Sequence, residues 1–120
     1  RGKGAVLRLG LAQARETVLC EGFATGLSLQ AAITQMRVSA SVLVCFSDSN
    51  MVHVSGRVSE KVVVAADNDK SEAGERAAKA TGRPYFMAPT VGHDANDWHQ
   101  QDGLLPLCAA LMKARREASM

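Results

Sequence analysis

The feature that most constrains this chain is a rhythm. Short apolar runs alternate with longer segments of helical spacing, and each run is closed by polar turn residues. The first run, residues 17–20 (TVLC), stops at Glu21-Gly22. The second, residues 41–46, is rich in Val, and the third, residues 61–66, ends at Asp67-Asn68-Asp69. A fourth covers residues 85–88. Between the first two, apolar residues at Leu29, Ile33 and Met36 predict a helix from about Thr25, which can N-cap it. Ser71 is placed to cap an Ala-rich helix that stops at Gly82, just before Pro84. A last helix starts near Pro106, which suits a first-turn position. Its predicted apolar face is Leu104, Leu107, Cys108, Leu111 and Met112, and Lys113, Arg115 and Arg116 form a solvated basic end that opposes the helix dipole. Residues 47–59 are ambiguous. Met51, Val54 and Val58 have helical spacing, but Gly56 and the β-branched residues oppose it. A short helical turn is expected over residues 97–101. The alternation predicts an α/β fold, a mostly parallel four-stranded sheet flanked by helices on both faces. Residues 5–11 are a candidate extra edge strand.

In such sheets ligands bind beyond the carboxyl ends of the strands. The acids fall there. Glu21 follows the first run, Asp67 and Asp69 the third, and Asp94 and Asp97 the fourth after a short loop. Parallel strands would bring all of them to one edge, where their mutual repulsion calls for a divalent cation. Mg²⁺ prefers oxygen ligands and is usually held by one or two carboxylates plus water and substrate phosphate. Two such ions can clamp the attacking and leaving oxygens of a phosphoryl transfer. Gly22 would let the backbone approach a phosphate closely, and the helix after it would aim free N–H groups at the same anion. Taken singly, Asp67 and Asp69 are also ordinary turn formers or caps, and Asp94 and Asp97 ordinary loop residues. The conjunction carries the reading.

Other chemistries fit less well. With 120 residues the chain makes one ordinary domain, and a net charge of +2 does not by itself announce a nucleic-acid binder. No apolar run is long enough to span a bilayer. No signal peptide is visible, and the chain opens on Arg1 without an initiator Met, which suggests a piece of a longer protein. Cys20, Cys45 and Cys108 lie singly in apolar stretches, as reduced thiols of a cytoplasmic protein do. The sequence Asp67-x-Asp69-x-Ser71 opens like a calcium loop, but Glu72 stands where that loop needs Gly. There is no GxxxxGK[ST]. His93 and His99 lack cysteine partners for zinc and read as loop residues, and Trp98 reads as a packing anchor.

Glu21-Gly22 after a strand, Asp67-Asn68-Asp69 after a later one, and residues 92–98 (GHDANDW) near the end together resemble the Toprim domain of bacterial-type DNA primases, topoisomerases and some nucleases. Residues 18–29 (VLCEGFATGLSL) and VVVAADNDK resemble most closely the primases of plasmids, phages and integrated elements. Ser49-Asn50-Met51 is similar to an Asn-bearing turn after the second strand in these proteins. The resemblance spans nearly the whole chain and implies a Rossmann-like Toprim fold, one catalytic domain over residues 1–120.

The resemblance also implies roles. Glu21 would act in acid–base chemistry or hold metal, Asp67 and Asp69 would bind Mg²⁺ or Mn²⁺, and Asp94 and Asp97 would complete a second metal site. Gly22, Thr25, Asn68, Lys70 and Asn96 would contact phosphate or nucleotide. The activity implied is synthesis of RNA primers from nucleoside triphosphates on single-stranded DNA, with a helicase or other replication domains as partners. Family primases usually add a zinc module and a basic domain. Neither is present here, so the core is expected to be inactive or weak in isolation. Tyr85, the one tyrosine, lies in a strand and is not placed as a topoisomerase nucleophile. A Toprim nuclease and a non-catalytic nucleic-acid or partner-binding module are the alternatives.

Overall fold

The computed structural model describes residues 4–120. In chain order the elements are β1 (Leu7–Leu9), β2 (Glu16–Cys20), α1 (Phe23–Met36), β3 (Ala40–Val44), α2 (Asp48–Ser55), β4 (Lys61–Ala66), α3 (Ala73–Thr81), β5 (Tyr85–Met87), α4 (Ala95–Asp102) and α5 (Leu104–Ala118). They build one sheet of order β1-β3-β2-β4-β5. The pairs β2–β3, β2–β4 and β4–β5 are parallel, and β1 runs antiparallel to β3. Among the described residues the sheet therefore has five strands rather than four, because the candidate N-terminal edge strand forms, shortened to Leu7–Leu9.

The strands are apolar on both faces because both faces are covered. Val18, Cys20, Val42, Val44, Val63 and Ala65 pack on one side with Leu29 and Ile33 of α1 and Leu107 and Leu111 of α5. Their neighbours Leu19, Leu43, Val62, Val64 and Ala66 pack on the other with Met51 and Val54 of α2 and Ala77 and Ala78 of α3. The period-2 alternation of strand side chains divides each run between two cores.

Topology positions the site. From β2 the chain goes outward to β3 through α1. It then returns past β2 to β4 through α2, which lies on the opposite face. The helices that follow the neighbouring strands β2 and β4 therefore leave toward opposite faces. This opens a crevice at the carboxyl ends of those two strands, the switch point where open α/β sheets bind ligands.

Several local expectations need correction. Helix α1 starts at Phe23 with Gly22 at its N-cap, and Thr25 is buried in the first turn instead of capping it. Helix α3 starts at Ala73 after Glu72, a left-handed residue with φ 63° that holds the N-cap position, while the Ser71 hydroxyl accepts the Ala73 N–H at 3.3 Å. The ambiguous segment resolves as α2, because the Ser47 side chain accepts the Asn50 N–H and caps it. The turn expected at residues 97–101 is the longer helix α4. In α5, Ala114 is buried whereas Met112 is exposed. Its basic end is not simply solvated. The Arg115 guanidinium donates two hydrogen bonds, of 2.7 and 2.8 Å, to the Glu16 carboxylate at the start of β2. Trp98 packs against the core, as an anchor would. Among the described residues no helix is long and apolar enough to cross a membrane.

Candidate metal centre

Glu21 leaves β2 and Asp67 leaves β4 at the two sides of the crevice. The backbone fixes Glu21, since its carbonyl accepts the Phe46 N–H at 2.8 Å, which carries the β2–β3 ladder one step past the strands. Glu21 and Asp67 act on each other across the crevice. Burial first, then Glu21 and the charges of Asp94 and Asp69, push the Asp67 carboxyl up to about 7. Burial and the charge of Asp48 likewise raise Glu21.

Asp69 is held by the chain that follows it. Its Oδ2 accepts the Gly74 N–H at 2.8 Å, so Asp69 shares the capping of α3 with Ser71, whose hydroxyl takes the Ala73 N–H at 3.3 Å. Gly74 has no alternative here. A Cβ built on it would lie 2.4 Å from the Asp67 carbonyl oxygen and 2.9 Å from Asp69 Oδ2. The start of α3 thus presses against the Asp-Asn-Asp turn and sets both acids. The sequence reading missed Gly74, although a glycine at the first turn of the helix after that turn was a visible signal.

Asn68 works inward. Its side-chain amide donates to the Ala88 carbonyl at 2.8 Å. Its backbone N–H donates to the His93 carbonyl at 3.1 Å, and its carbonyl accepts the Gly92 N–H at 2.6 Å. These bonds staple residues 88–93 to the end of β4 and carry Asp94 toward Asp67. Asp94 and Asp97 then close a capping box on α4. Asp94 Oδ1 accepts the Asp97 N–H at 2.8 Å, and Asp97 Oδ2 accepts the Asp94 N–H at 3.0 Å. Asp94 acts electrostatically on Asp67. Asp97 interacts with Asp94 and His93, and its carboxyl is held low chiefly by the Asp94 backbone N–H. The structure therefore brings Glu21, Asp67, Asp69 and Asp94 to the crevice, with Asp94 and Asp97 both engaged in capping α4.

Asp48 joins the group unforeseen. It opens α2, two residues after Phe46, and raises Glu21 through its charge. Its own carboxyl is raised by burial and by Asp69. In the sequence it stood inside the ambiguous segment, among turn residues that concealed it. Asn50 in the same turn is structural, donating to the Ala5 and Cys45 carbonyls at 2.8 and 2.9 Å.

Of the remaining expected contacts, Gly22 has an extended backbone (φ −104°), and nothing lies within 4 Å of a Cβ built on it, so the fold itself does not demand glycine there. That open space lies beside the N-terminus of α1, which no side chain caps. Lys70 is exposed. Asn96 donates to the Ser28 hydroxyl at 3.2 Å and accepts from the Gln100 side chain at 2.7 Å, docking α4 on α1. His99 Nδ1 lies 3.0 Å from the same hydroxyl. Tyr85 donates its hydroxyl to Glu75 at 2.6 Å. The three cysteines are free and buried, and burial raises each thiol, Cys45 to about 11.

The donor set suits a hard divalent cation. Asp67 Oδ1 is buried without a hydrogen-bond partner, and an orphaned carboxylate oxygen in a cluster of acids is what a cation would satisfy. Among the described residues no three His, Cys, Asp or Glu side chains converge tightly enough to cage an ion unaided. An ion held by these acids would complete its shell with water and substrate phosphate.

An α/β sheet with carboxylates collected at its switch point defines a class of proteins that handle phosphate groups with divalent cations. A family model for the Toprim domain matches residues 16–104, and the chain belongs to that family. Toprim membership carries a metal-dependent, nucleic-acid-related function. Comparison with curated proteins and with solved structures gave no match.

Proposed function

We propose that the chain is the Toprim catalytic core of a DNA primase, of the branch found in plasmids, phages and integrated elements. It would make RNA primers on single-stranded DNA by joining a primer 3′-hydroxyl to the α-phosphate of a nucleoside triphosphate, with pyrophosphate as the leaving group. One observation carries this reading: Asp67, gathered at the switch point with Glu21 and Asp69, keeps a buried carboxylate oxygen without a hydrogen-bond partner among the described residues.

Asp67 and Asp69, with Asp94 nearby, would hold Mg²⁺ or Mn²⁺. The bound cation would lower the pKa of the primer 3′-hydroxyl and neutralise the phosphates of the incoming nucleotide. Glu21, with its raised carboxyl, is the group placed to take the hydroxyl proton. The uncapped N-terminus of α1 and the open space at Gly22 offer a seat for phosphate. Lys70 is close enough in sequence to Asp69 to add a positive charge there. Most of the work is positioning and charge, which is what in-line phosphoryl transfer asks of a protein. Template grip and initiation would come from partner domains, a helicase or other replication modules among them, and the isolated core would be weak or inactive in starting chains.

The test is extension of an RNA primer annealed to a single-stranded DNA template, with Mn²⁺ and at high protein concentration, beside plasmid nicking under the same conditions. Slow extension, lost in Asp67→Asn/Asp69→Asn, with intact plasmid supports the proposal. Metal-dependent nicking lost in the same variant would replace it by a Toprim nuclease. Single-strand binding that survives in the double variant, with neither activity in the parent, would point to a non-catalytic module.

A further inference from the structure

The chain has five aromatic residues, three Phe, one Trp and one Tyr. Phe86, Trp98 and Tyr85 pack against the two cores. The other two, Phe23 and Phe46, are 49% and 53% exposed. Both stand at the acidic edge. Phe23 is the first residue of α1, two positions after Glu21, and the Phe46 N–H is bound to the Glu21 carbonyl at 2.8 Å. Phe46 also has φ 71°, a left-handed conformation that a bulky side chain rarely adopts. Its ring fills no core and its backbone would be more comfortable with glycine.

From this placement we infer that Phe23 and Phe46 form a stacking platform for an unpaired base of a single DNA strand whose phosphate lies at the metal centre. The inference rests on the phosphate-handling role proposed above. An aromatic ring suits this because every base has a flat π face, so stacking holds a strand without regard to sequence. Charge favours this occupant over an apolar protein surface. Glu21 lies two residues before Phe23 and Asp48 two residues after Phe46, and an apolar protein surface laid over this edge would strip water from these carboxylates without pairing them. A strand leaves the edge wet, and its phosphates reach the acids only through cations. Binding should therefore require the divalent ion. Leu27, one turn beyond Phe23 and also exposed, extends the apolar ledge along α1.

The experiment measures binding of a short thymidine oligonucleotide and of an abasic oligonucleotide of equal length, with Mg²⁺ and with EDTA. The proteins are the parent, Phe23→Ala and Phe46→Gly. Glycine at 46 relieves the left-handed backbone, so this variant should melt no lower than the parent, which separates a lost ring from a lost fold. The platform predicts Mg²⁺-dependent preference for the base-bearing oligonucleotide, reduced about tenfold per ring removed. The abasic oligonucleotide should bind parent and variants alike. Equal binding of both oligonucleotides by the parent, or an unchanged preference in both variants, overturns the platform while leaving the metal centre intact. Absence of Mg²⁺-dependent binding to either oligonucleotide overturns the phosphate role and the platform with it. A Phe46→Gly protein that melts well below the parent would assign the ring a packing role and also overturn it.

Discussion

Asp67→Asn should make the metal-free protein more stable and at the same time remove its response to Mg²⁺. The folded protein binds a proton on Asp67 more tightly than the unfolded chain does, since the carboxyl moves from 3.8 to about 7. The stabilisation this brings is complete below 3.8 and is lost as pH rises through about 7. Above that, the folded state bears the full cost of charging Asp67 beside Glu21 and Asp94. At about 1.4 kcal/mol per tenfold change in proton affinity, this shift would correspond to about 4 kcal/mol in a site cut off from water. Asp67 is only half-buried, and solvent screening brings the expected cost to about 1–2 kcal/mol. Asparagine escapes it, because it is neutral at every pH. In EDTA at pH 8 the variant should melt about 4–8 °C above the parent, and near pH 4 the difference should vanish. Mg²⁺ at ten times its dissociation constant should then raise the parent by about 1.4 kcal/mol and leave the variant unmoved, closing the gap. Thermal melts by circular dichroism over pH, with and without Mg²⁺, make the measurement. A variant less stable than the parent at pH 8, or a difference independent of pH, would refute the reasoning.

Other changes test the surroundings. Gly74→Ala forces a Cβ to within 2.4 Å of the Asp67 carbonyl oxygen, so it should cost about 1–3 kcal/mol in urea unfolding and weaken Mg²⁺ binding by displacing Asp69. Asp48→Asn should keep the fold and weaken Mg²⁺ about two- to fivefold by calorimetry, through loss of a nearby charge alone. Glu16→Gln breaks the bidentate pair with Arg115, which lowers the Glu16 carboxyl, and should cost about 1 kcal/mol at pH 7. A lowered carboxyl gives stability that is present above its ordinary value of 4.5 and lost as pH falls through the folded one, so this difference should disappear in acid.

The architecture was legible because the runs ending at Cys20 and Ala66 are short, apolar on both faces and followed by helical spacing, which a parallel sheet explains and little else does. The edge strand was legible only as a candidate, since Leu7 and Arg8 are largely exposed and carry weak patterning. Helix starts were misplaced where the cap comes from elsewhere in the chain. Thr25 has a good capping side chain, but α1 begins without a side-chain cap, and α3 adds to Ser71 the Asp69 carboxylate from five residues before Gly74. Asp94 and Asp97 looked equivalent in sequence. Both take part in the reciprocal capping box, and what separates them is that Asp94 acts on Asp67. Asp48 escaped notice because its nearness to Glu21 depends on the β2–β3 pairing at Phe46, a contact between distant parts of the chain.

The central claim is that the carboxylates at the switch point between β2 and β4 form one divalent-cation site. Paramagnetic broadening of backbone amide signals by trace Mn²⁺ tests it most directly, since the effect falls steeply with distance from the ion. The account predicts strongest broadening at Gly22, Asp48, Asn68 and Gly74, competed away by excess Mg²⁺ and absent in Asp67→Asn/Asp69→Asn. Broadening centred instead on Asp102 or Glu117, or unchanged in the double variant, would contradict it.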